Sequence, residues 1–407
     1  MESGQRSYSN FSHVESFMPK EEKLELDKNK QILTIGIPRE ANMQENRIAL
    51  VPEAVGLLVQ AGHKVLIQTN AGKNAHFPDN EYSEVGAEIV KTSSEVFKAD
   101  IIIKISALNN DELEMLGNRK IVFSLLNLTT RKKSYFKKLI DKKTTAIAFE
   151  FIKDKTGSFP VLESTSEIVG RTSIFLASEY FADPKYGKGA MLGGFPGITP
   201  TEVVILGAGT VGENAARTAM NMGAQVKVFD NNIYKLRRLQ ESLNSKVFTS
   251  ILQAKVLHKS LKRADVVIGA LHSHEGSIPY LISEDIVLEM KNGSVIIDVS
   301  IDQGGCFETS YPTKHDDPVF IKHGVTHYCV PNIASRIPRT ASYALSNFFA
   351  PIILSAGEEG GVENLIKRNY SLSKGTFLYN GILTKRHIGN LYDIPYQDIE
   401  LLIAAFS

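Results

Sequence analysis

Short apolar runs alternate with amphipathic stretches along this chain, the texture of an α/β protein in which buried strands are crossed by helices. Ile32 to Ile37, Lys64 to Gln68 and Ile101 to Ile105 predict strands, and Glu53 to Gln60 predicts a helix between the first two. Ile121 to Leu126 and Thr145 to Phe149 predict further buried strands, joined by a basic helix around Arg131 to Lys142. Ser164 to Phe181 then predicts one long helix, a natural connector between domains, which the Gly- and Pro-rich stretch Asp183 to Pro200 ends. Beyond it Val203 to Leu206, Gln225 to Phe229, Asp265 to Ala270 and Ser294 to Val299 predict strands, with a helix at Glu213 to Met222. Both halves read as doubly wound parallel sheets.

At 407 residues the chain exceeds one ordinary core, and two domains are expected. No apolar run reaches the roughly 18 residues of a membrane span, and residues 1–31 carry charge where a signal peptide would be apolar, so they read as a solvated arm. A net charge of +1 gives no electrostatic reason to expect nucleic acid or an anionic membrane, which leaves small molecules as the expected partners. The two cysteines, Cys306 and Cys329, lie outside any C-x-x-C pair and outside metal-ligand spacing with histidine. A cytoplasmic protein without a metal or a required disulfide is expected.

The most informative local pattern is Gly207-Ala208-Gly209-Thr210-Val211-Gly212, because an apolar strand precedes it, a helix follows, and a second strand ends at Asp230. Gly207 permits the tight turn, Gly209 lets backbone approach a pyrophosphate, and Gly212 lets the helix pack closely on the strand. Phosphate would meet the free N–H groups of the helix N-terminus. The Asp230 carboxylate, about 20 residues further on, suits ribose hydroxyls and repels a 2′-phosphate, which favours NAD over NADP. Leu271-His272-Ser273-His274 and Ser300 to Gly305 follow the next two strands, where ligands of such sheets bind, although loop His and Asp residues are often only solvated or capping groups.

Gly36 to Glu40, Glu45 to Pro52, Ser166 to Arg171, Asp302 to Glu308 and Tyr328 to Asn332 together resemble the alanine dehydrogenase family, which also includes the NAD-binding subunit of proton-pumping transhydrogenase. The resemblance spans about residues 32 to 355. It implies a catalytic domain in two pieces, 32–160 and 338–407, with the NAD-binding Rossmann domain, 161–337, inserted between them and the substrate cleft at their junction. It also implies hexamers. By position it assigns Arg47 to the substrate carboxylate, which a guanidinium fork suits, and Lys104 to the substrate carboxylate and carbonyl oxygen. Asp302 falls beside the reacting carbon, where it would handle water and protons. Ser166, Thr210, Val211, Asp230, Lys235, Leu271, His272 and Asn332 match cofactor contacts.

Two departures stand out. Asn127 occupies the position of the family's catalytic histidine; it can donate a hydrogen bond to a carbonyl or carbinolamine oxygen but cannot titrate. Ile105-Ser106-Ala107-Leu108 replaces the family's usual charged Lys-Glu-Pro turn. The expected activity is NAD-dependent oxidation of L-alanine to pyruvate and ammonia, with Asn127 or a neighbour such as His272 in place of the imidazole. The alternatives are another small 2-amino or 2-oxo acid, a transhydrogenase subunit, or a catalytically silent NAD sensor.

Overall fold

The computed structural model describes residues 30–271 and 281–405. Its strands in chain order are β1 (Thr34–Ile37), β2 (Lys64–Gln68), β3 (Glu88–Val90), β4 (Ile101–Ile103), β5 (Ile121–Ser124), β6 (Thr145–Ala148), β7 (Glu202–Leu206), β8 (Gln225–Phe229), β9 (Phe248–Ser250), β10 (Val266–Gly269), β11 (Val295–Asp298), β12 (Val319–Lys322), β13 (Val325–Tyr328), β14 (Thr376–Tyr379) and β15 (Ile382–Leu383). They form two sheets, ordered β15-β14-β6-β5-β4-β1-β2-β3 and β12-β13-β11-β10-β7-β8-β9. Within the first, β1 to β6 run parallel and β14 and β15 antiparallel; within the second only β12 is antiparallel to its neighbour.

The central strands are apolar without alternation because helices cover both faces of each sheet. Ile101, Ile102 and Ile103 are all buried, as are Val203 to Leu206, and residues of opposite parity in each run enter different hydrophobic clusters. Two long helices, Pro160–Ala182 and Pro338–Glu358, carry the chain between the units, and each opens with proline, whose fixed φ suits the first turn. The segment around Arg47 is fastened to the second of these: Ser342 Oγ accepts from the Ile48 N–H at 2.9 Å and Ser346 Oγ from the Val51 N–H at 2.7 Å.

Several expected bounds move. The strand expected at Ile32 to Ile37 begins at Thr34, those expected to reach Ile105, Leu126 and Phe149 end at Ile103, Ser124 and Ala148, and Phe149–Phe151 turns into a 3-10 helix. The connector helix starts at Pro160 rather than Ser164, and the basic helix is Lys133–Asp141. The helix expected at Glu213 begins at Thr210, so the second half of the glycine motif is already its first turn. β14 and β15 were not expected. Their hairpin turns through Asn380 (φ 49°) and Gly381 (φ 78°), an Asn-Gly pair suited to the left-handed backbone of a tight hairpin. Cys306 and Cys329 are free and buried.

Candidate nucleotide and substrate site

Strand order collects the chemistry. In the first sheet β6, β5, β4 and β1 are consecutive parallel neighbours, so Glu150, Asn127, Lys104 and Glu40, each just past the carboxyl end of one of them, lie along a single edge. In the second sheet the same edge carries Gly207 after β7, Asp230 after β8, Leu271 after β10, Asp302 after β11 and Asn332 after β13. Ligands of open parallel sheets bind at this edge. His272 and His274 lie outside the described residues.

The glycine motif has the shape of a phosphate cradle. Gly207 has φ 112°, and a Cβ there would stand 2.2 Å from the Ala270 carbonyl oxygen. At Gly212 a Cβ would fall 1.9 Å from the Gly207 carbonyl oxygen, whereas at Gly209 it would meet nothing within 4 Å. Two glycines are therefore demanded by close packing, and the third leaves open space in front of the backbone. The following helix, Thr210–Asn221, has no side-chain cap at Gly209, so its first N–H groups are available to an anion. Asp230 is buried; its Oδ2 accepts from the Ala208 N–H at 2.8 Å and its Oδ1 from the Asn232 N–H at 2.7 Å. Each carboxylate oxygen keeps a further lone pair. Val211 and Thr210 open the helix, while Lys235 lies in the first turn of the helix after β8, its N–H held by Asn232. Ser166 sits on the connector helix, which approaches the nucleotide helix so closely that a Cβ on Gly170 would stand 2.4 Å from the Val211 carbonyl oxygen.

Arg47 is buried and bound fork to fork by Glu45, Nε to Oε1 and Nη2 to Oε2, both at 2.7 Å. Glu45 Oε2 also accepts from Asn332 Nδ2 at 2.9 Å, and the Asn46 N–H donates to Ser335 Oγ at 2.7 Å. The guanidinium of the first unit and the Asn332 turn of the second, in the left-handed region at φ 65°, thus belong to one hydrogen-bonded chain. Arg47 and its other contacts hold the Glu45 carboxyl below the usual range although burial pushes it up. Nearby, the backbone N–H of His315 donates to Gln44 Oε1 at 2.7 Å, and burial, then Arg336, hold its imidazole below its ordinary pKa.

Lys104 has a different setting. It is 2% exposed, and its Nζ lies 2.7 and 2.8 Å from the two carboxylate oxygens of Glu112 and 3.6 Å from Glu40 Oε2. Glu40 in turn accepts from the N–H groups of Ile105 at 2.6 Å and Ser106 at 3.3 Å, so this ion cluster braces the Ile105 to Leu108 turn from below. Burial raises the Glu40 carboxyl pKa against the opposing field of Lys104. Asn127 is exposed and left-handed at φ 48°.

Asp302 stands on a 3-10 turn, Val299–Gln303, closed by Gly304 at φ 109°. The residue is solvent-accessible, yet its carboxyl is walled by enough protein that desolvation raises its pKa, against backbone N–H groups of Asp302 and Gln303. Beneath it is a carboxylate the sequence reading missed. Asp298 is fully buried, accepts from the Cys306 N–H at 2.8 Å and Ser310 Oγ at 2.7 Å, and is raised to about 6 by burial. It ties both ends of the Asp302 loop together. An aspartate closing an apolar strand was the available signal.

A two-unit α/β protein with a Rossmann-type nucleotide cradle and an ionic cluster at the junction is the class this fold and site define. Residues 36–169 match the profile "Alanine dehydrogenase/PNT, N-terminal domain" and residues 173–386 the profile "Alanine dehydrogenase/PNT, C-terminal domain". The chain is 38% identical over 369 residues to alanine dehydrogenase 2 of Staphylococcus aureus (strain USA300), covering 90% of this chain and 99% of the relative. A solved L-alanine dehydrogenase superposes with a TM-score of 0.82 at 33% identity, over 89% of this chain and 99% of the other. A transhydrogenase from Sinorhizobium meliloti superposes with a TM-score of 0.74 at 21% identity, over 87% of this chain and 99% of that one, a likeness of fold alone. The chain belongs to the alanine dehydrogenase/PNT family. No helix among the described residues is long and apolar enough to cross a membrane.

Proposed function

We propose that this protein is an NAD-dependent alanine dehydrogenase, interconverting L-alanine with pyruvate and ammonia. The observation that carries the reading is the Arg47–Glu45–Asn332 chain, which couples a carboxylate-binding guanidinium to the nucleotide unit. Two of the five N–H donors of Arg47 serve Glu45, and the remaining ones suit a substrate carboxylate. NAD, when bound, accepts hydride from the substrate Cα. The open backbone at Gly209 with the N–H groups of Thr210 and Val211 would hold its pyrophosphate, Asp230 its ribose hydroxyls, and Ser166, Lys235, Leu271, His272 and Asn332 complete the cofactor surface.

Asp302 orients the water that hydrolyses the imine and takes its proton, a task suited to a carboxyl held above its usual range by burial. The Asn127 amide donates to the developing oxyanion or carbinolamine oxygen. Lys104, which the resemblance matches by position to a substrate-binding lysine, acts as a positioning residue: its ammonium is consumed by Glu112 and Glu40, and through Glu40 it holds the turn at Ile105 and Ser106. Asn127 and the Ile105 to Leu108 turn support a second reading, in which the substrate is another small 2-amino or 2-oxo acid.

The test is NADH absorbance in both directions, with alanine plus NAD and with pyruvate, ammonia and NADH, on the parent, Asp302→Ala and Asn127→His. Turnover by the parent that Asp302→Ala abolishes is the expected result. Activity in Asn127→His alone would mean that the pocket serves another substrate, and NAD binding without turnover in either would refute the assignment.

A further inference from the structure

Asn127 gives this edge of the sheet an amide, which cannot titrate, and the group beneath it is a carboxyl, which can. Glu150 follows β6, the strand beside β5, and reaches under the turn that carries Asn127. Its Oε1 accepts from the Leu126 N–H at 2.7 Å and the Asn127 N–H at 3.1 Å. Its Oε2 is buried and has no hydrogen-bond partner among the described residues.

An ionised carboxylate in that position would bury charge with no cation to offset it, since no lysine, arginine or histidine is paired with Glu150 among the described residues. The titratable group that senses Glu150 is Tyr135 on the helix Lys133–Asp141; Arg131, whose guanidinium stands 5.4 Å over the Tyr135 ring, and Glu112 act on that ring rather than on the Glu150 carboxyl. Burial raises the Glu150 pKa, against the N–H groups of Glu150 itself, Leu126 and Asn127. A neutral carboxyl fits the geometry: Oε1 is its carbonyl, receiving two N–H donors, and Oε2 carries the hydrogen, a donor in want of an acceptor.

We propose that Glu150 is the proton reservoir of the site, delivering its Oε2 proton through one water to the substrate oxygen that the Asn127 amide binds. This rests on the alanine dehydrogenase reading. As ammonia adds to the keto carbon, the C–N bond forms and the C=O π pair moves to oxygen. That oxygen takes the relayed proton, which leaves Glu150 as carboxylate. The ammonium nitrogen so formed returns one proton through water to Glu150, yielding neutral carbinolamine. In the oxidative direction the same transfers run backwards. Asn127 and Glu150 together then divide what one imidazole would do: one binds the oxygen, the other titrates.

Glu150→Gln preserves the Oε1 acceptor and the shape but cannot titrate. In cofactor-free protein, difference infrared titration is expected to show a protonated-carboxyl band that persists above the ordinary carboxylate range in the parent and is absent from Glu150→Gln. With substrates, kcat of Glu150→Gln is expected to fall about 10²- to 10⁴-fold and its pH profile to lose one limb, while Tm stays near that of the parent; Asn127→His in the Glu150→Gln background restores the limb. An unchanged pH profile and kcat, or identical infrared titrations, would overturn the proposal and leave Glu150 as a brace for the turn. A parent without turnover would sink the proposed function separately, and the infrared band alone would then decide for or against a protonated Glu150.

Discussion

Lys104→Met separates a lysine that contacts substrate from one that holds the turn together. Its ammonium is 2.7 and 2.8 Å from the Glu112 oxygens and 3.6 Å from Glu40 in a site from which solvent is nearly excluded. Methionine keeps the volume and removes the charge, leaving two buried carboxylates facing each other. Breaking a buried pair from one side costs about 3–5 kcal/mol. At about 2–4 °C per kcal/mol for domains of this size, Tm drops by about 6–20 °C. The loss depends on pH with a definite sign. Burial already raises the Glu40 pKa in the folded state, and removing Lys104 raises it further. A carboxyl so shifted stabilises the fold fully below its unfolded pKa, about 4.3, and that contribution is lost as pH rises through the folded value. The deficit is therefore larger at pH 8 than at pH 5. Scanning calorimetry at both pH values measures it, and Lys104→Met/Glu112→Gln should recover part of the loss because one uncompensated charge is gone. A variant with parental Tm and a KM for pyruvate raised tenfold or more would refute the reasoning and return Lys104 to the substrate.

Gly212→Ala puts a methyl group 1.9 Å from the Gly207 carbonyl oxygen, so the cradle must open; isothermal titration should find NAD binding lost, and parental affinity would show that the turn is not the phosphate site. Asp230→Asn removes the charge while keeping the shape and should weaken NAD about 10- to 150-fold, as expected for 1.5–3 kcal/mol from a hydrogen bond to a charged group. NADP should suffer less, and an unchanged NAD to NADP ratio would rule out Asp230 as the ribose contact.

The α/β class, the glycine motif and Asp230 were legible in the sequence because each is local: hydrophobic period, turn-forming glycines and a strand-ending acid lie within one strand-helix-strand stretch. The Asn-Gly hairpin at Asn380 and Gly381 carries the same kind of local signal. Local pattern does not state which strands become neighbours. That adjacency put Glu150 under Asn127 and added β14 to β6 from the far end of the chain, while contact between the two units brought Asn332 to Glu45. It also enclosed the Lys104 ammonium between Glu112 and Glu40, which position in a motif cannot reveal. Residue type and spacing determined what chemistry the chain carries. The tertiary structure decided which groups remain available for it, because a charge or proton is held or released by the side chains and solvent around it, and those are set by packing between distant segments.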